Sequence, residues 1–117
     1  MGKGELISGL LPELRRGTVV LCVLAKLRRP AYGYNLVSDL ANSGMVVEAN
    51  TLYPLLRRLE SQGLLESAWN TDAAKPRKYY AITAFGVEVL SELKMHWHNT
   101  VSSVNNILED ETIWETI

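Results

Sequence analysis

Apolar residues recur at helical spacing through most of the chain and give way to strand-forming residues only between Leu64 and Thr83. At about 100° per residue, Leu52, Leu55, Leu56 and Leu59 fall on one stripe of a helix over 49–62, and Asn50, Pro54, Arg57, Arg58 and Ser61 project from the other side. Glu60 falls at the edge of the stripe beside Tyr53, so the outward face carries amide, hydroxyl and guanidinium groups and no carboxylate. Those groups suit phosphate oxygens and base edges, which makes this stretch the candidate DNA recognition helix. A proline inside a helix does least damage in its first turns, so Pro54 requires the helix to begin close by, with Glu48 or Asn50 as the cap. Gly63 suits the left-handed position that ends it.

The neighbouring pattern places that helix in a larger unit. Residues 5–14 predict a short packing helix weakened by Gly9 and Pro12. Val19, Val20, Leu21, Val23, Leu24 and Leu27 are apolar nearly all round, as in a helix buried on most sides, and Arg28, Arg29 and Pro30 end it. Ala31, Tyr32, Gly33 and Tyr34 are expected to open the next helix, whose inward face is Leu36, Val37 and Leu40. After the turn Asn42-Ser43-Gly44, the short apolar link Met45-Val46-Val47 leads into 49–62, giving helix-turn-helix order. Residues 64–69 and 78–83 are rich in strand formers and flank a polar turn over 70–76, which predicts a hairpin. A hairpin behind a recognition helix is a wing, and its tip would carry Lys75, Arg77 and Lys78 to the DNA backbone or minor groove. Lysines at a hairpin tip also serve simply to keep its edges from aggregating.

Thr83 predicts the N-cap of a long last helix over 84–108. Along it Leu90, Leu93, Trp97, Thr100, Val104 and Ile107 alternate spacings of three and four, the seam of a coiled coil, and Val87, Val101 and Leu108 widen it. A three-helix domain cannot cover so long a stripe, so the same helix of a second subunit is expected against it in a twofold homodimer. The predicted fold class is therefore mainly α with a small β-hairpin wing. Residues 1–83 form a winged helix-turn-helix, and residues 84–117 form a dimerisation helix and an acidic tail expected to fray from Glu109.

Composition narrows the function. With 117 residues, 47% of them hydrophobic, the chain suffices for one small domain with a core. The net charge of −1 argues against a protein that coats nucleic acid unspecifically. Residues 84–117 hold one basic and six acidic side chains, residues 1–48 six and four, and residues 49–83 five and three. The acidity is confined to the C-terminal third, and the rest can face a phosphate backbone. Cys22 is the one cysteine, so no intrachain disulfide forms and a reducing, cytoplasmic setting is expected. No run approaches the roughly 20 apolar residues that span a bilayer, and the first fourteen residues lack the pattern of a secretion signal, so no membrane partner is expected. His96 and His98 diverge on a helix and cannot jointly hold a metal. No nucleophile with a base, no placed carboxylate pair and no glycine-rich phosphate loop occurs, so neither an enzyme nor a cofactor is expected.

Four blocks carry a resemblance: Arg16-Gly17-Thr18 with the apolar helix behind it, Tyr32-Gly33-Tyr34-Asn35-Leu36, the run over 51–65 that opens Thr51-Leu52-Tyr53-Pro54, and Arg77-Lys78-Tyr79-Tyr80-Ala81-Ile82-Thr83. In this order the chain resembles the PadR transcriptional regulators over about residues 15–90. The resemblance implies a dimeric winged-helix repressor of the short class, with a single C-terminal helix for dimerisation and small aromatic or drug-like effectors. By matching position it implies DNA contacts from Thr51, Tyr53 and Arg57 on the recognition helix and from Lys75 and Arg77 on the wing, with Tyr32 and Tyr34 in the second-helix block. The wing tip Asp72-Ala73-Ala74-Lys75-Pro76 departs from the family in lacking glycines and dense arginines, which bears on how deeply it enters the minor groove.

On the seam, two Trp97 side chains related by a twofold axis could sandwich a planar aromatic molecule, with Leu93, Met95, Val101 and Val19 beside them, or could simply fill the dimer core. The expected function is thus a DNA-binding repressor that recognises a palindromic operator in double-stranded DNA as a homodimer, relieved by such a ligand. The alternative is a winged-helix module for protein interaction, in which Tyr53, Trp69 and the wing pack a protein partner.

Overall fold

The computed structural model describes residues 1–72 and 74–110. Their order is α1 (Lys3–Arg15), α2 (Thr18–Lys26), β1 (Ala31–Tyr32), α3 (Gly33–Asn42), α4 (Ala49–Ser61), β2 (Leu65–Asn70), β3 (Arg77–Ile82) and α5 (Ala84–Leu108). The core lies where α2, α3 and α4 meet. Val23, Leu24 and Leu27 come from the first of these and the residue after it, Leu36 and Leu40 from the second, and Leu52, Leu56 and Leu59 from the third. Leu64, Leu65 and Tyr80 close it from the sheet side. Each leucine so buried contributes about 2 kcal/mol relative to exposure, so the apolar stripe of 49–62 is what holds α4 in place. Leu55, predicted on that stripe, is only half-buried at its margin.

One element differs from the pattern-based expectation. Ala31 and Tyr32 do not open a helix; they form β1, which pairs antiparallel with β3, Ala31 opposite Tyr80 and Tyr32 opposite Tyr79. The wing is therefore the outer part of a three-stranded antiparallel sheet ordered β1-β3-β2. Two residues are too few to show alternation, and the strand exists because β3, some fifty positions away in sequence, presents an edge to it. Pro30, which follows the Leu27 C-cap of α2, suits this, since it cannot continue a helix and can precede an extended chain.

Glu48 takes the N-cap position of α4, with extended backbone and no capping bond from its side chain. Pro54 sits in the second turn. At the other end Gly63 has φ 78°, and the Leu64 N–H donates to the Leu59 carbonyl at 3.0 Å, so the chain reverses into β2.

Helix α5 begins as expected at the Thr83 cap, whose hydroxyl oxygen accepts from the Gly86 N–H at 2.9 Å. The same hydroxyl donates to the Gly63 carbonyl at 2.6 Å, so one side chain ties the end of α4 to the start of α5. Gly86 is buried where α5 passes the chain after α4, and a Cβ there would stand 2.2 Å from the Leu64 carbonyl oxygen. Val89, Leu90 and Leu93 pack on the domain, and beyond them the helix leaves it. Helix α1 buries none of its residues, and Leu6, Ile7, Leu10 and Leu14 are exposed. Among the described residues no helix is long and apolar enough to cross a membrane. Of the tail expected to fray, residues 111–117 lie outside the described residues.

Candidate nucleic-acid interface

The outward face of α4 divides into a ridge and two flanks. Asn50, Pro54 and Arg57 are exposed along the ridge. On one flank Thr51 and Arg58 join Arg15 and Arg16 around a groove of about 900 Å³ between α1, α2 and α4. On the other, Tyr53 and Arg57 face Tyr34, Trp69 and Lys78 across a notch under the wing. Ser61, also predicted outward, spends its hydroxyl on the Arg58 carbonyl at 2.9 Å. Tyr53 is half-buried because its ring lies against the first turn of α3: a Cβ at position 33 would be 2.8 Å from the Tyr53 Cε1, so a larger residue there would push the ring aside. Tyr53 is thus a joint between α3 and α4 as well as a surface residue.

The wing residues are held in specific geometry. Arg77 lies with its guanidinium carbon 5.4 Å from the Tyr34 ring centroid and 5.8 Å from that of Tyr32, and its Nη1 donates to the Tyr34 hydroxyl at 2.7 Å. The two tyrosine rings stack at 5.8 Å with 13° between their planes. Asn70 Nδ2 donates to the Tyr32 hydroxyl at 2.7 Å, so the tip end of the wing, where Asn70 pairs with Arg77, is fastened to the start of α3 from both strands. Each cation–π contact at such an exposed site contributes about 0.5–1 kcal/mol, enough to bias the Arg77 rotamer without hiding its charge. Lys78 Nζ lies 3.7 Å from the Glu60 Oε1 and 5.4 Å from the Tyr80 ring centroid. Glu60 also accepts from the Ser67 hydroxyl, which turns the carboxylate toward the sheet and away from the exposed ridge. Both members of the ion pair remain about a third exposed, so the pair is weak and leaves Lys78 free to reorient. Lys75 is exposed at the tip, between Ala74 and Pro76.

Asn50, Thr51, Tyr53, Arg57 and Arg58 therefore share α4, and Lys75, Arg77 and Lys78 share the wing beside it. Tyr34, which the resemblance placed in the second-helix block, and Trp69, expected only as a contact of the protein-interaction alternative, stand at the same surface. The signal for Trp69 was the alternation of β2: the Ser67 hydroxyl reaches α4, and with period two Trp69 must point to the same side.

The predicted seam residues lie apart from this surface, along α5. Leu90 and Leu93 are half-buried against the domain, and Val101 is half-buried further along. Trp97 is 40% exposed, and Val104, Ile107 and Leu108 are exposed beyond it. His96 and His98 are both on the surface.

A helix-turn-helix with a cationic wing beside its second helix defines a winged-helix protein of the DNA-binding kind. Residues 20–92, more than half of the chain, match the Transcriptional regulator PadR-like family, and the chain belongs to that family. It is similar to a PadR family transcriptional regulator from Eggerthella lenta, at 53% identity and TM-score 0.87 over 92% of this chain and 96% of that one. A PadR-like regulator from Bacillus cereus is 33% identical with TM-score 0.74, covering 83% of this chain and 97% of its own. A transcriptional regulator from Mycobacterium tuberculosis is 35% identical over 81 residues, 68% of this chain and 76% of its own. The protein is accordingly a DNA-binding transcriptional regulator of a family that typically dimerises, and not an enzyme.

Proposed function

We propose that the protein is a homodimeric repressor that places α4 of each subunit in successive major grooves of a palindromic operator, and that a planar aromatic ligand held at α5 relieves repression. The observation that carries this reading is the pair of faces on α4: Leu52, Leu56 and Leu59 are buried, while Asn50, Thr51, Arg57 and Arg58 are exposed beside a cationic wing. Lys75, Arg77 and Lys78 supply phosphate contacts, and Tyr53 positions α4 on α3 while presenting its edge to the groove.

Dimerisation is supported by apolar surface that one chain leaves uncovered. Trp97, Val104, Ile107 and Leu108 on α5 are exposed, and so are Leu6, Ile7, Leu10 and Leu14 on α1. Apolar area of that extent on a small domain marks an interface. The interface rests on Leu90, Leu93, Trp97, Val101, Val104, Ile107 and Leu108, so residues 84–117 set the distance between the two reading heads formed by residues 1–83. Trp97, flanked by Leu93 and Val101, is the side chain on this seam with the flat area to hold a planar molecule by stacking. A ligand there acts only if it binds better to a dimer whose α4 helices are wrongly spaced for DNA.

A gel-shift titration against the DNA upstream of the protein's own gene, with and without a panel of planar aromatic compounds, tests the proposal. A shift that weakens steeply with salt and is reversed by a planar compound is the expected result. Binding to that DNA no tighter than to unrelated DNA refutes the operator, and a shift that no planar compound reverses refutes the ligand.

A further inference from the structure

The notch between α3, α4 and the wing contains side chains that no reading of α4 alone explains. Tyr34 from α3, Tyr53 and Arg57 from α4, and Trp69 and Lys78 from the sheet line a space of about 310 Å³. Trp69 and Lys78 are directly opposite one another on β2 and β3. The Trp69 indole is 62% exposed, an unusual amount of apolar surface on the side of the wing that overhangs α4. A solitary exposed aromatic needs no function. Trp69 is not solitary: three tyrosines, Tyr34, Tyr53 and the buried Tyr80, line its notch with two cations, and the carboxylate of Glu60 is occupied by Ser67 and Lys78. The Tyr34 hydroxyl accepts from Arg77, which leaves its own hydrogen to donate.

We propose that this notch seats one sugar-phosphate unit of the DNA backbone, and that Trp69 and Tyr34 are DNA-contacting residues. Arg57 and Lys78 supply the charge that the phosphate requires, while the Tyr34 hydroxyl and the Trp69 indole N–H supply neutral donors of the kind that fix a protein's register on a duplex. The indole face covers the deoxyribose. At about 310 Å³ the space lies at the bottom of the range for small-molecule sites, so it suits a backbone unit better than a bulky effector. Because the donors come from α3, α4 and both wing strands, a phosphate seated here locks the recognition helix and the wing onto the same strand of DNA. The inference rests on the DNA-binding reading above and adds to it the side chains and the part of the DNA they hold.

Two measurements on the full-length protein test it, with a random-sequence 30-base-pair duplex at low salt as the probe, since a backbone contact needs no operator. Tryptophan emission should change and acrylamide quenching should fall when the duplex is added; both responses should persist in Trp114→Phe and vanish in Trp69→Phe, because Trp97 lies on α5, away from the notch. Fluorescence anisotropy should show Trp69→Ala binding a labelled duplex about tenfold more weakly, the loss expected for a donor to a charged group. Its salt dependence should stay that of the wild type, since a neutral side chain displaces no counterions. Tyr34→Phe, which keeps the ring stack and loses the hydroxyl, should weaken binding to a similar extent. The proposal is overturned if the duplex binds but the emission response persists in Trp69→Phe, or if Trp69→Ala and Tyr34→Phe bind like the wild type; the DNA reading survives either result. Failure of the wild-type protein to bind any duplex at low salt would overturn the DNA reading, and this proposal with it.

Discussion

Replacing Gly86 by alanine sets two physical effects against each other at the joint between the reading and the dimerising parts of the chain. Gly86 is the third residue of α5, where alanine has the higher helix propensity by at most about 1 kcal/mol. If local propensity decided, Gly86→Ala would stabilise the protein. The packing says otherwise. The added methyl would sit 2.2 Å from the Leu64 carbonyl oxygen, 2.6 Å from the Ile82 Cγ1 and 3.2 Å from the Leu64 carbonyl carbon. Two of these are backbone atoms that cannot swing aside, and Leu64 is anchored by its own bond to the Leu59 carbonyl and by the Thr83 N–H at 3.1 Å. Overpacking of this sort costs about 1–3 kcal/mol, toward the top of the range where backbone must move. Net of the propensity gain, a loss of about 2 kcal/mol is expected, or a fall of roughly 8 °C in Tm for a chain of this size. Thermal unfolding at equal protein concentrations reads it, since the Tm of a dimer depends on concentration. Because α5 must also tilt, the variant should bind DNA more weakly even below its Tm. A Gly86→Ala protein as stable as the wild type would refute the close approach of α5 to the chain leaving α4.

Other consequences are as direct. Thr83→Ala removes the α5 cap and the bond to Gly63, and should cost about 1 kcal/mol in denaturant unfolding, with Thr83→Ser retaining most of it; equal stability of the alanine variant would deny that this hydroxyl links the two helices. Arg57→Ala should weaken DNA binding and flatten the plot of log affinity against log salt by about 0.9 for each phosphate left without its cation, whereas an unchanged slope would remove Arg57 from the interface. Trp97→Ala should shift sedimentation toward monomer and abolish quenching by planar aromatics; a variant that stays dimeric and still responds would move both roles elsewhere.

The helical half of the fold was legible because its signals are local. The leucine spacing of 49–62, the Thr83 cap and the length of α5 each depend on residues within a few turns of one another, and α4, the cap and 84–108 all stand where the pattern placed them. What escaped was long-range. β1 is two residues whose extended conformation is imposed by β3, and Ala31 and Tyr32 carry no alternation of their own. Arg77 read as a wing-tip cation, yet its partners Tyr32 and Tyr34 lie more than forty residues away, and nothing near position 77 announces a stack with them. Glu60 could be placed at the margin of the α4 stripe, but only the register of β2 against β3 shows it turned onto Ser67 and Lys78. The outward face of α4 was right as a face; its division into an Arg58 flank beside α1 and an Arg57 flank beside the wing needed the neighbours in place.

The central claim, that two copies of α4 spaced by α5 read one site, is tested most directly by a hydroxyl-radical footprint of the wild-type protein on the DNA upstream of its own gene. Two protected patches should appear, centred about ten base pairs apart or a small multiple of that and related by a dyad. A single patch, or uniform protection along the fragment, would contradict it.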